Sequence, residues 1–149
     1  MPHKFRELII WQRAMALTTE VYALSRTWPK DELFGLTSQT RRAATSIALN
    51  IAEGAGNESN AEFARFLTIA LRSSYELMTA LELSLRLEYA KADSVQRLLK
   101  ETDRLAAMTS TLIQKLSQSH KNRNIRETIS TYEINSLNND VDANNDQTL

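Results

Sequence analysis

The chain of 149 residues has no cysteine, two histidines, two prolines and three glycines. Without cysteine there is no disulfide framework, no thiolate nucleophile and no cysteine-ligated zinc or iron–sulfur site. His3 and His120 stand far apart, and neither follows a glutamate by three positions. A histidine-based metal centre, a carboxylate-bridged di-iron site and a Ser-His-Asp triad are therefore not expected. So few glycines and prolines cannot punctuate an all-β fold, which turns about every 8–12 residues. No apolar run approaches the roughly 18 residues that suggest a membrane span. The opening MPHKFRELIIWQRA carries charges inside its apolar stretch and has no small-residue cleavage site, so it does not read as a secretory signal. Phosphate-loop, HExxH and GxSxG patterns are missing. Gly54-Ala55-Gly56 is only a fragment of a dinucleotide fingerprint, with no strand before it. The expectation is a cytoplasmic, mostly helical protein that is no enzyme and carries no cofactor or metal.

What is present is helical periodicity. Ile10, Ala14, Leu17, Val21, Leu24 and Trp28 alternate steps of four and three, the spacing of a helix packed along its neighbours. This predicts a first helix over 5–27, ended by Pro29. A second helix is expected from near Asp31, its N-cap, to Gly54, a left-handed C-cap, with Leu36, Ala43, Ile47 and Ile51 on its apolar face. Gly35 inside its first turns either lets another helix approach or marks a break. A third helix over 61–89, capped by Ser59 or Asn60, steps through Phe63, Leu67, Ala70, Ser74, Leu77 and Leu81. Phe66, Ile69, Leu71, Tyr75, Met78, Leu83, Leu85 and Leu87 add apolar groups on its other sides. One stripe about 100° wide suffices for a helix in a small monomeric bundle. The excess here implies self-association. A fourth helix over 92–117, capped near Asp93, repeats Leu98, Leu105 and Leu112 every seventh residue. Four helices with short connections make an all-α, antiparallel up-down four-helix bundle over 1–120.

The zero net charge conceals an asymmetry. Residues 1–123 hold 17 basic and 13 acidic side chains, a net of +4, whereas 124–149 hold one basic and five acidic, a net of −4. The segment 121–149 is acidic, rich in asparagine and poor in apolar residues, and is expected to form a flexible tail whose last dozen residues are disordered. Ile125, Ile129, Tyr132 and Ile134 offer one weak docking turn. The tail either keeps the protein soluble or competes for the basic face of the bundle.

Two sets of side chains are candidates for function. Gln39, Arg42, Ser46, Asn50 and Glu53 line one face of the second helix, beside its apolar face. The plainer reading is a polar network that sets register between helices, and the sharper one is a recognition or pore-lining surface. Glu53 faces the negative end of the helix dipole and needs a cationic partner. The second set is basic. Arg41, Arg42, Arg65 and Arg72, with Lys100 and Arg104 on the polar face of the fourth helix, are candidates to bind nucleic acid. Tyr75 and Tyr89 are the nearest aromatics, too few to stack a single strand, so binding would rest on phosphate charge and shape. The ordinary reading of the same residues is a hydrated surface. Trp11 and Trp28 read as packing anchors.

Several stretches resemble a known family. They are Trp28-Pro29-Lys30-Asp31-Glu32-Leu33-Phe34-Gly35-Leu36, Gln39-Thr40-Arg41-Arg42-Ala43-Ala44 and Ser46-Ile47-Ala48-Leu49-Asn50-Ile51-Ala52-Glu53-Gly54. Glu62-Phe63-Ala64-Arg65-Phe66-Leu67-Thr68-Ile69-Ala70, with Ser73-Ser74-Tyr75-Glu76-Leu77, and Phe5-Arg6-Glu7-Leu8-Ile9-Ile10-Trp11-Gln12-Arg13-Ala14 add to them. Together, over about residues 4–118, they resemble the four-helix bundle proteins of the 23S rRNA intervening-sequence (S23-like) family. The resemblance implies a ring-like homopentamer. It also implies RNA or DNA as a partner, the usual proposal for a family to which no catalytic residues are assigned. The alternative is a protein–protein scaffold with no nucleic-acid role. Ala48 stands where relatives often have proline, which implies a straighter second helix.

Overall fold

The computed structural model describes residues 4–143, with side chains through Ser119 and at Asn122. Four helices account for most of it: α1 (Ile9–Ser25), α2 (Leu36–Ala55), α3 (Asn60–Arg86) and α4 (Ala92–Ala143). Short 3-10 turns at Phe5–Glu7 and Lys30–Glu32 precede α1 and α2. Among the described residues there is no strand.

Each helix packs on two neighbours, in the cycle α1–α2–α3–α4–α1, and among the described residues no diagonal pair meets. Ser46 of α2 touches Ser73 of α3, and Gly54, two turns on, meets Phe66, two turns back, so the pair is antiparallel. Arg13–Glu101 and Glu20–Arg97 give the same sense to α1 and α4. The centre is filled by Leu17, Val21, Ile47, Ile51, Phe63, Leu67, Leu77, Leu81, Val95, Leu98 and Leu105, all essentially inaccessible to water. Burying each such side chain contributes about 1.5–3 kcal/mol before ordering entropy is subtracted.

The helix ends depart from the expected ones for local reasons. Leu8 is extended (φ −71°, ψ 123°), so the first helix is split into a 3-10 turn and α1. The break folds Phe5 back edge-on against Trp11, with ring centroids 5.2 Å apart. In a continuous helix, residues six apart point to different faces. α1 stops at Ser25 because Thr27 and Trp28 N–H close tighter bonds to Leu24 and Ser25 carbonyls just before Pro29.

Asp31 is not the cap of α2. It lies in the 3-10 turn, and the Glu32 carboxylate instead accepts the Leu36 N–H at 2.8 Å. Gly35 is the residue at the break, the second of its two expected roles. Gly54 is not a left-handed C-cap. It lies inside α2, Gly56 ends the helix in ordinary right-handed geometry, and no described glycine has positive φ. Gly54 permits close approach instead: a Cβ there would sit 2.7 Å from Phe66 Cβ and 2.9 Å from Phe63 Cδ2. α2 runs unbroken through Ala48.

Ser59 caps α3, accepting the Glu62 N–H in a Ser-x-x-Glu arrangement. α3 ends at Arg86, earlier than periodicity suggests, where Glu88 turns left-handed (φ 58°) and Tyr89 N–H reaches back to Ser84 O at 2.9 Å. This is a Schellman closure in which a glutamate occupies the place glycine usually takes.

α4 starts at Ala92, with Asp93 in its first turn. It continues past residue 117 to Ala143, into the segment expected to be a flexible tail, a length of about 78 Å at 1.5 Å per residue. Residues 144–149, half of the dozen for which disorder is expected, lie outside the described residues.

Candidate nucleic-acid interface

The bundle separates the basic residues that the sequence grouped together. Arg42 of α2 and Arg65 and Arg72 of α3 are exposed. Arg41 lies between α1 and α2, where its Nε donates to Ser25 Oγ (2.8 Å) and its guanidinium covers the Tyr22 ring at 4.8 Å. That geometry makes it a packing residue. Arg65 is held by Glu62 at 3.0 Å and lies over Phe66 at 4.5 Å. Lys100 and Arg104 sit on the α1–α4 seam. None of the α2 and α3 arginines lines that groove, so the six residues form no single patch.

The α1–α4 seam is the more organised of the two. A groove of 350 Å³ is lined by Arg13, Leu17, Glu20, Arg97, Glu101 and Arg104, with Lys100 beside them. Arg13 donates to Glu101 at 2.6 Å, and Arg97 pairs with Glu20. Both carboxylates of the groove are thereby engaged. Lys100 and Arg104 make no ion pair among the described residues. Four cations thus face two anions on a rigid helical edge. Glu20 and Arg97 also border a second hollow of 730 Å³ towards the α3–α4 turn, so the two form one trough. Its far end is less basic, lined by both Glu88 and Lys91. Arg13 escaped sequence reasoning. Its spacing of seven from Glu20, matched by the charges at 97–104, is the signal that points to it.

The polar stripe of α2 divides in two. Ser46 Oγ and Ser73 Oγ are 2.8 Å apart across the α2–α3 seam, and Asn50 Nδ2 donates to Ser46 O and Oγ. This is a network between two helices, the geometry a register device requires. Gln39, Arg42 and Glu53 are exposed, and Glu53 has no ion pair among the described residues.

At the end of the bundle where α2 begins, Tyr89 Oη donates to Glu32 Oε1 at 3.0 Å, and Trp28 is buried beside the Tyr89 ring. The hydrogen bond to Glu32, then burial, then the charges of Glu32 and Asp31 raise the Tyr89 phenol above the ordinary 10.0. The bond ties the α1–α2 connection to the α3–α4 turn. Among the described residues no three His, Asp or Glu side chains converge as a metal site, and no helix is long and apolar enough to cross a membrane.

These features define an antiparallel four-helix bundle with a cationic edge. Residues 6–111 match the 23S rRNA-intervening sequence protein family, and the chain belongs to that family. In fold it is similar to the crystal structure of a protein of unknown function from the S23 ribosomal protein family of Bacteroides thetaiotaomicron. The TM-score is 0.66 at 24% identity, over 70% of this chain and 98% of that one. Comparison with curated proteins finds no match.

Proposed function

We propose that this chain is a non-enzymatic, homo-oligomeric bundle of the cytoplasm that binds the phosphate backbone of RNA or DNA. The observation that supports the reading is the α1–α4 trough, where Lys100 and Arg104 make no ion pair among the described residues. Phosphate binding releases condensed counterions, so two uncommitted cations per copy, multiplied over an oligomer, give useful affinity without base contacts. The exposed Arg42 and Arg72 of α2 and α3 add positive potential, and Arg41 is committed to packing. The scarcity of stacking aromatics in the trough favours a structured or duplex ligand over a single strand.

A fluorescent ribosomal-RNA hairpin, read by anisotropy with unlabelled duplex DNA as competitor, tests this. Binding is expected to be lost in the Lys100→Glu, Arg104→Glu double variant and largely kept in Arg42→Glu. Unchanged binding in the first variant refutes the choice of edge. No binding by the parent protein, even at low salt, refutes the reading as a whole. The second reading is a protein–protein scaffold, and the fully exposed Phe34 favours it. It expects no salt-sensitive binding of either nucleic acid.

A further inference from the structure

α4 outruns the bundle. Leu116 is its last buried side chain among the described residues. Ser117, Gln118 and Ser119, about 100° apart around the helix, are all exposed, as is Asn122. The helix nevertheless continues to Ala143, about 40 Å beyond the core. The match to the family ends at residue 111, so this overhang lies outside the shared bundle. Its root is cationic. From Arg104 to Arg126 the sequence holds Lys115, Lys121 and Arg123 besides those two arginines, and no aspartate or glutamate. Acidic residues return at Glu127, Glu133, Asp140 and Asp142.

We infer that the root of this overhang, up to Arg126, is an arm for duplex DNA that lies in the major groove. The inference rests on the nucleic-acid reading above and names its ligand. A helix with its side chains is about 10–12 Å across, and the major groove of B-form DNA is about 12 Å wide. The major groove of A-form RNA is deep and too narrow to receive side chains in this way. A helix in a groove meets phosphates on two sides, and positions 121 and 123 fall about 160° apart around α4. Positions 104, 115 and 126 follow one another every three turns, within about 20° per step of a single line. Arg104 and Lys115 are exposed, and Arg104 also lines the α1–α4 groove, so arm and trough are continuous. The run from 104 to 126 is about 33 Å long, close to one turn of B-form DNA at about 34 Å. One copy therefore covers about ten base pairs, with Lys100 and Arg104 meeting the phosphates at one end.

Anisotropy of two fluorescent duplexes of about 20 base pairs and one sequence, the first DNA and the second RNA, tests the inference on the full chain. The arm variant is Lys121→Gln, Arg123→Gln, Arg126→Gln. The control is Arg26→Gln, Lys30→Gln, Arg86→Gln, which removes the same charge from exposed positions at the other end of the bundle. The parent is expected to bind the DNA at least about tenfold more tightly than the RNA, and the arm variant to lose that advantage while its RNA affinity changes little. The control is expected to keep both affinities, and circular dichroism to show the parent's helicity in both variants. Equal binding of the two duplexes by the parent, a preference for RNA, or an arm variant that keeps its DNA affinity overturns the arm and leaves the phosphate-binding reading standing. A parent that binds neither duplex at low salt overturns both.

Discussion

Gly54→Ala adds one methyl group at the closest approach of α2 and α3. The new Cβ would lie 2.7 Å from Phe66 Cβ, 2.9 Å from Phe63 Cδ2 and 3.3 Å from Phe63 O. Phe66 Cβ is anchored to the backbone and cannot swing away, and Phe63 is a core side chain. Relief therefore requires the helices to separate. Overpacking of this kind costs about 3 kcal/mol at the upper end of its usual range. Alanine returns about 1 kcal/mol through its better helix propensity. The net loss is about 2 kcal/mol, a fall in Tm of about 6 °C for a domain of this size. Gly56→Ala is the matched control. Its nearest neighbour would be Glu53 O at 3.4 Å, an ordinary contact, and its backbone is already right-handed. It is expected to gain about 0.5 kcal/mol by restricting the unfolded chain. Thermal unfolding followed by helical circular dichroism, at one fixed protein concentration because assembly adds to stability, separates the two. A Gly54→Ala protein as stable as the parent would refute the reasoning, since Gly54 would then not set the distance between α2 and α3.

Other outcomes follow from the same geometry. Glu88→Gly, at the left-handed residue after α3, is expected to stabilise the chain by about 1 kcal/mol in urea unfolding, because a side chain is disfavoured at that backbone angle. Tyr89 titrates above the ordinary tyrosine value in the folded state, so the stability it supplies is complete below pH 10.0 and disappears as pH rises through its raised value. Subtracting the phenolate absorbance titration of Tyr89→Phe from that of the parent reads this group directly. A difference curve centred at or below 10.0 would contradict the Glu32 hydrogen bond.

Much of the fold was legible because apolar spacing states which face is buried. The steps of four and three in 10–28 and 63–81 locate α1 and α3, and Ser59 with Glu62 marks where α3 begins. Chain breaks were harder to read. Nothing local distinguishes Leu8, whose extended backbone brings Phe5 onto Trp11, and a glutamate at a left-handed position leaves no trace in composition. Gly54 was misread because a glycine near a helix end has two uses, a cap and a close approach, and only the position of Phe66 decides between them. The candidate site was legible as residue types and not as a surface. Arg41 and Arg42 are adjacent in sequence, yet α2 packs one against α1 and leaves the other exposed. Lys100 and Arg104 line a groove with α1 that neither Arg41 nor Arg42 enters, because a seam is a property of a helix pair.

The slope of RNA affinity against salt is the most direct measurement of phosphate binding by the α1–α4 edge. With Lys100 and Arg104 each neutralising one phosphate, log K is expected to fall with a slope of about −1.8 per engaged copy, roughly a twelvefold loss from about 50 to about 200 mM salt. Lys100→Gln, Arg104→Gln should remove that part of the slope. A parent that binds the hairpin with no salt dependence, or a double variant with an unchanged slope, would contradict it.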